Sequence, residues 1–419
     1  MNNILIIYPH WPPSNLAGVH RPRLIANFLP HFDWHPIVLT VHERNYEESF
    51  DYDLNLTVGA GVEVIKTDAC QVIRLFGRRI VGDIGIRAFG ALYMKALEII
   101  HSRTIDFIWI PIPSWYTAIL GRLLHEKTQV PYGIDYIDPW VSKLAPYDGI
   151  GSRAWVSNQI ARTLEPYAVK KASLISGVSP AYFMDVLNRN FKNRPIKHVG
   201  MPYGFDPGDH QIELEGIKCP WPEDGSVEPY VYAGAFLPQS HLFISSFCKA
   251  IQTLAKNDKL PAKAHFYFLG TGFYRGKTIA DYAKETGLED RITEYRQRYP
   301  FLHIQHFLRK AKGLLIVGST ERHYTASKTF QCLITQNPIW AVFHMESSAA
   351  AFLQQCKADQ YLNCYMEGMS DSVLDLAFTT SLDHFLNPSH PWKPDLKKLD
   401  PYSARSSAEA LVKAIDAVL

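Results

Sequence analysis

Ile4-Leu5-Ile6-Ile7-Tyr8, with the loop, helix and second apolar run behind it, decides the fold. A short, uninterrupted, β-branched run is what a strand buried on both faces of a parallel sheet requires. The loop after it carries Pro9, Pro12, Pro13 and Gly18, and from Pro22 to Leu29 the residues Leu24, Ile25, Phe28 and Leu29 recur at helical spacing. Pro36-Ile37-Val38-Leu39-Thr40 then supplies a second strand. Strand, loop, helix and strand form the unit of doubly wound α/β domains. Further strands are expected over 62–66, 107–110, 132–137 and 174–178.

The same rhythm restarts at Tyr230-Val231-Tyr232-Ala233. It continues with a helix over 242–256, a strand over 264–269, a helix over 277–286, a strand over 313–317, a helix from about 327 and a strand over 339–343. Pro207, Gly208, Gly216, Pro220, Pro222 and Gly225 mark 206–229 as a linker. The expected architecture is α/β, with two Rossmann-like domains, 1–205 and 230–400, facing a cleft. Residues 401–419 read as an amphipathic helix packing back on the first domain. A chain of 419 residues exceeds the roughly 250–300 at which one core stops growing, which agrees with two domains.

Composition excludes several function classes. The net charge is only +2, whereas a dedicated nucleic-acid binder needs a basic excess for phosphate contacts. The six cysteines form no CxxC pair and read as reduced thiols. Neither a charged leader with a long apolar run nor an 18-residue apolar stretch occurs, so a cytoplasmic protein is expected, with contact to the inner face of a membrane as an option.

Three segments carry candidate chemistry. Ser14 to Arg21 joins the first strand to the first helix, where backbone N–H groups and a helix end suit an anion; the alternative is a turn-relieving Gly18 with solvated Arg21 and Arg23. Strand-like 266–269 runs into Gly270-Thr271-Gly272, which lets backbone approach a phosphate or ribose. Arg275 at the sixth position breaks the GxGxxG dinucleotide fingerprint and weakens a dehydrogenase reading. The third segment, 317–333, leads from a buried strand into a helix that begins at Ser327-Lys328. Its hydroxyl, ammonium and free N–H groups would hold a diphosphate, and Gln331, one turn on, would reach ribose hydroxyls. An ordinary N-cap with a solvated lysine is the alternative.

In the order of these segments the chain resembles the GT-B glycosyltransferases, closest to the retaining, nucleotide-sugar-dependent group called family 4. The resemblance spans almost the whole length. It rests on Gly18 with Arg21 and Arg23; Asp106-Phe107-Ile108-Trp109; 131–140 with Asp135, Asp138 and Trp140; 172–179; Pro202-Tyr203-Gly204-Phe205-Asp206, like P-N-G-x-D; Ala233-Gly234; Leu269-Gly270-Thr271-Gly272; and Tyr324-Thr325-Ala326-Ser327-Lys328, like Y-x-P-S-K. It implies transfer of a sugar from a nucleoside diphosphate sugar to a glycan or lipid-linked acceptor, in surface polysaccharide or glycoconjugate assembly, with retention. Gly18, Gly234, His241, Gly270, Gly272, Glu321, Tyr324, Ser327, Lys328 and Gln331 then face the donor. Arg21, Arg23, Asp135 and Trp140 lie on the acceptor side, and Asp138 orients or deprotonates the acceptor hydroxyl.

The departures are specific. The family's arginine and lysine after the second-domain glycine are replaced by Ala235-Phe236-Leu237-Pro238-Gln239-Ser240-His241. Of the usual glutamate pair, Gln331 takes the second place, His323 falls at the first and Glu321 lies two residues early. Phosphate charge then falls to Lys328, backbone N–H groups and His241. These changes motivate one rival, a non-catalytic partner subunit of the same fold; a sugar-nucleotide epimerase of that fold is the other alternative. Residues 72–103 carry net +4 among apolar residues and read either as a surface for anionic lipid or as amphipathic helices with snorkelling arginines. No metal or other cofactor is expected. His303 and His306 have no cysteine or carboxylate at ligand spacing, and His306 lies near an expected strand.

Overall fold

The computed structural model describes residues 1–75, 78–141, 149–274, 276–322 and 328–419. The chain divides into two units, Met1–Asp206 with Pro401–Leu419, and Pro207–Asp400.

In chain order the first unit contains β1 (Asn2–Ile7), α1 (His20–Phe28), β2 (Trp34–Val41), β3 (Glu63–Thr67), β4 (Ile73–Leu75), β5 (Arg78–Val81), α2 (Ile84–Arg87), α3 (Phe89–Ser102), β6 (Phe107–Ile112), α4 (Ala118–Thr128), β7 (Tyr132–Tyr136), α5 (Arg153–Val169), β8 (Leu174–Gly177), α6 (Pro180–Asn190) and β9 (Lys197–Gly200). Seven strands pair in parallel in the order β3-β2-β1-β6-β7-β8-β9. The apolar run at the N-terminus is continuous because its alternate side chains feed two cores. Leu5 and Ile7 pack with Leu92 of α3, Leu120 and Leu124 of α4 and Ala161 of α5. Ile4 and Ile6 turn to the opposite face, with Trp34, Trp109 and Ile25 of α1.

The second unit contains β10 (Glu228–Ala233), α7 (His241–Lys256), β11 (Ala264–Leu269), α8 (Ile279–Thr286), β12 (Ile292–Tyr295), α9 (Phe301–Lys310), β13 (Gly313–Val317), α10 (Lys328–Ile334), β14 (Ile339–His344), α11 (Ser348–Gln355), β15 (Leu362–Tyr365) and α12 (Asp371–Leu386). Its six parallel strands run β12-β11-β10-β13-β14-β15. Trp340 of β14 centres the core, edge-on to Phe378 at 4.9 Å and 5.2 Å from Phe247, with its indole N–H donated to Ser381 at 2.9 Å. Helix α13 (Ala404–Asp416) belongs to the first unit, where Ala408, Leu411 and Ile415 join the core that contains Ile25 and Leu29.

Two stretches differ from their sequence reading. Residues 207–229, expected as a linker, pack on the second unit. Asp209 and His210 are buried, and the buried Trp221 ring lies 5.3 Å from Tyr267 and 5.8 Å from Phe307. Prolines and glycines signalled the absence of regular structure, which is compatible with tight packing. Within 72–103, the antiparallel β4-β5 hairpin precedes the helices. Three of the six basic residues there serve the fold itself. Arg87 donates to the carbonyls of Cys70 and Asn45, Arg103 grips Glu63 at 2.7 and 2.9 Å, and Lys95 reaches Glu98 at 2.7 Å.

Candidate functional site

In open parallel sheets, ligands gather beyond the carboxyl ends of the strands where strand order reverses. In the second unit that place lies between β10 and β13. β10 runs into Gly234 and β13 into Gly318, and the loops after them are tied together. The Ser240 hydroxyl donates to the Gly318 carbonyl at 2.5 Å, Gln239 donates to Glu321 Oε1 at 3.3 Å, and the Glu321 N–H donates to the Ser319 hydroxyl at 3.1 Å.

Lys328 opens α10 and brings its ammonium to this place, with Nζ 3.9 Å from the centre of the Tyr232 ring. The ring is fixed in turn, because the Tyr232 hydroxyl donates to the Ala235 carbonyl at 2.7 Å. Gly234 has φ +142°, and a Cβ built there would lie 3.3 Å from Lys328 Nζ. The positive φ favours glycine at this position, and the ammonium lies close against it. The result is a cation held over an aromatic face at the strand-order reversal, an arrangement suited to anion binding.

The other donor-side residues are placed differently. Glu321 belongs to the same loop pair. Gln331 points to the buried segment before β10, its Oε1 2.5 Å from His210 Nε2, so its amide is engaged within the unit. His241 opens α7 with Nδ1 3.0 Å from the Tyr282 hydroxyl and its ring edge-on to Phe236 at 4.9 Å, which turns it toward α8. Tyr324 and Ser327 lie outside the described residues.

Gly270 and Gly272 have positive φ, as a tight loop after β11 requires, but the anion expected nearby is already supplied by the protein. Glu294 accepts hydrogen bonds from the Thr271 hydroxyl at 2.6 Å, the Tyr274 hydroxyl at 3.0 Å and the Ala280 N–H in the first turn of α8 at 3.1 Å. A phosphate at this loop would meet a carboxylate.

In the first unit, Arg21 and Asp135 occupy the interior rather than the surface. Both side chains are fully buried and form a bidentate pair, Nε to Oδ2 at 2.6 Å and Nη2 to Oδ1 at 2.9 Å. Arg21 Nη1 also donates to the carbonyls of Met201 and Pro202, and Ser176 donates to Asp135 Oδ1 at 2.7 Å. The pair therefore holds α1, β7, β8 and the chain after β9 in register. Arg23 is also buried and donates to the Thr57 carbonyl, and Trp140 is a core residue edge-on to Tyr116 at 6.1 Å. These placements revise the expectation that the four side chains are presented to an acceptor. Gly18 has a steric reason, since a Cβ there would lie 2.4 Å from the Tyr8 hydroxyl oxygen. Asp138, just beyond β7, is exposed, while surrounding protein raises its carboxyl above the ordinary aspartate range.

The loop after β1 is clamped by Glu48, which accepts from the Ser14 hydroxyl at 2.6 Å and lies 2.7 Å from His10 Nδ1. Burial pushes the Glu48 carboxyl up, but the bond and charge of His10 together with the Ser14 hydroxyl outweigh it, holding the group at about 2 against an ordinary 4.5. A depressed folded-state value stabilises fully above pH 4.5 and is lost as pH falls toward 2. The expected contribution is on the order of 3 kcal/mol. Glu48→Gln should flatten the acid limb of a urea-midpoint profile over that interval; an unchanged limb would rule the clamp out as its source.

Sequence reasoning missed Tyr232, Ser240, Ser319 and Glu294, whose roles arise only where strands distant in the chain become neighbours. It also found no partners for His306. The structure places that residue on helix α9 rather than near a strand and brings Cys219 and Glu223 to it, so spacing along the chain was the wrong guide.

No family model matches the sequence, and no curated protein is similar to it at the level of sequence. Solved structures match over the full length. Anabaena HepE in complex with UDP superposes with a TM-score of 0.57 at 12% identity, covering 100% of both chains. An E. coli structure described as trehalose-6-phosphate bound with UDP-2-fluoro glucose gives 0.60 at 11%, again over 100% of both. A Listeria monocytogenes structure described as a putative UDP-N-acetylglucosamine 2-epimerase gives 0.54 at 10%, over 99% of this chain and 96% of that one. Together with the two parallel sheets, these likenesses establish a two-domain, Rossmann-like GT-B fold. Among the described residues no helix is long and apolar enough to cross a membrane.

Proposed function

We propose that this chain is a glycosyltransferase that takes a nucleoside diphosphate sugar, of the uridine class, as donor. The observation that carries the reading is the approach of Lys328 Nζ to Gly234 over the Tyr232 ring at the strand-order reversal of the second unit. UDP or a UDP sugar is named with two of the similar structures, which agrees with a diphosphate beside that ammonium. Departure of a diphosphate from an anomeric carbon develops negative charge on its oxygens, and fixed donors in place beforehand stabilise it. Lys328 supplies the charge that the missing arginine and lysine after Gly234 do not. Asp138 orients the acceptor hydroxyl, and its raised carboxyl is the more basic for it. The acceptor is a glycan or lipid-linked glycan, the outcome retention, and the setting surface polysaccharide assembly, with 72–103 as the side nearest lipid. These finer points rest on the motif resemblance.

The Listeria likeness keeps an epimerase as the second reading. A thermal-shift screen with UDP, GDP, ADP and their sugars tests the donor assignment, because stabilisation follows affinity. At a hundredfold excess over Kd the expected stabilisation is about 2.7 kcal/mol for the uridine ligands. No shift with any nucleotide would remove both catalytic readings. UDP released from a UDP sugar only when a glycan acceptor is present favours transfer, whereas acceptor-independent conversion of a UDP sugar to its epimer favours epimerisation.

A further inference from the structure

Cys219, Glu223 and His306 form a cluster in the second unit that the proposed transfer does not use. One donor atom from each, a thiol sulfur, a carboxylate oxygen and an imidazole nitrogen, lies within 4.8 Å of the others. The first two come from Cys219-Pro220-Trp221-Pro222-Glu223 and the third from α9. Prolines on either side of Trp221 restrict the backbone, and the buried Trp221 ring anchors the segment on Tyr267 and on Phe307, the residue after His306. The Tyr295 hydroxyl adds a bond to the Pro220 carbonyl at 3.2 Å. The segment is thus fixed against the helix by contacts that do not involve the three donor side chains.

We propose that these residues bind a zinc-type divalent transition metal, with water in the fourth position. A thiolate with an imidazole is the donor set of a borderline-soft ion; calcium and magnesium take all-oxygen sets. A tetrahedral site with bonds of about 2.0–2.3 Å sets its donors roughly 3.3–3.8 Å apart. The observed cluster reaches that spacing by side-chain movements of about 1 Å. Charge also balances, since one thiolate and one carboxylate neutralise a doubly charged ion, while the thiol proton leaves to solvent as the metal binds. Bound there, the metal cross-links the lead segment of the second unit to α9.

The test uses the reduced, chelator-treated full chain titrated with cobalt(II), whose thiolate complexes absorb in the near ultraviolet. The wild type is expected to develop this charge-transfer band with one equivalent of cobalt and to lose it when one equivalent of zinc is added. Cys219→Ser should abolish the band, and His306→Ala and Glu223→Gln should each weaken cobalt binding at least about tenfold while leaving the far-ultraviolet circular dichroism unchanged. Cys70 and Cys364 are exposed, so the Cys219→Ser result separates the proposed site from adventitious thiol binding. Absence of the band in the wild type, its persistence in Cys219→Ser, or wild-type affinity in both His306→Ala and Glu223→Gln overturns the proposal. UDP binding is measured on the same samples and is expected to be unchanged, which keeps this result distinct from the donor assignment.

Discussion

Arg21→Ala is expected to destabilise the first unit by about 3–5 kcal/mol, the cost typical of breaking a buried ion pair by removing one partner. The large value follows from what is left behind. Asp135 would be left in the interior without its guanidinium partner, and the carbonyls of Met201 and Pro202 would lose their donor. Urea unfolding followed by tryptophan fluorescence measures the loss. The double variant Arg21→Met with Asp135→Leu should recover much of it, because the pair itself is offset by the desolvation of two charges and only the orphaned partner is costly. A single substitution costing less than about 1 kcal/mol would show that water reaches the site and that the pair is not the internal fastener described above.

The second large effect concerns ligand affinity. Lys328→Ala should weaken UDP binding about 10–100-fold, corresponding to loss of one charge-assisted hydrogen bond of roughly 1.5–3 kcal/mol. The fold should survive, since Lys328 is only partly buried and does not belong to the apolar core. Lys328→Arg should fail to restore full affinity. A guanidinium is planar and broader than the ammonium that lies 3.9 Å from the Tyr232 ring centre, close to Gly234. Calorimetric titration of UDP into the three proteins reads both effects.

The strands were legible where burial on both faces makes sequence monotonous, as in 4–8, 36–40, 264–269 and 313–317. The two strand-order reversals were not, because strand neighbours are chosen by topology, which local pattern does not encode. That is why Lys328 could be singled out by its motif while Tyr232, which carries it, could not. Arg21 and Asp135 show the converse. Charged residues at a helix start and a strand end look like ligand contacts in one dimension, and only the fold reveals that their partners are each other and carbonyls near residue 200. Glu294 illustrates a third limit: an unremarkable acidic residue in β12 accepts hydrogen bonds from both the first turn of α8 and Thr271 of the preceding glycine loop.

In the proposed function, the strand-order reversal of the second unit holds the diphosphate of a sugar donor through Lys328. A crystal structure of the full chain with UDP tests it most directly. The account predicts a phosphate oxygen about 3 Å from Lys328 Nζ, beside Gly234. A diphosphate bound elsewhere, with Lys328 making no contact to it, would contradict the account.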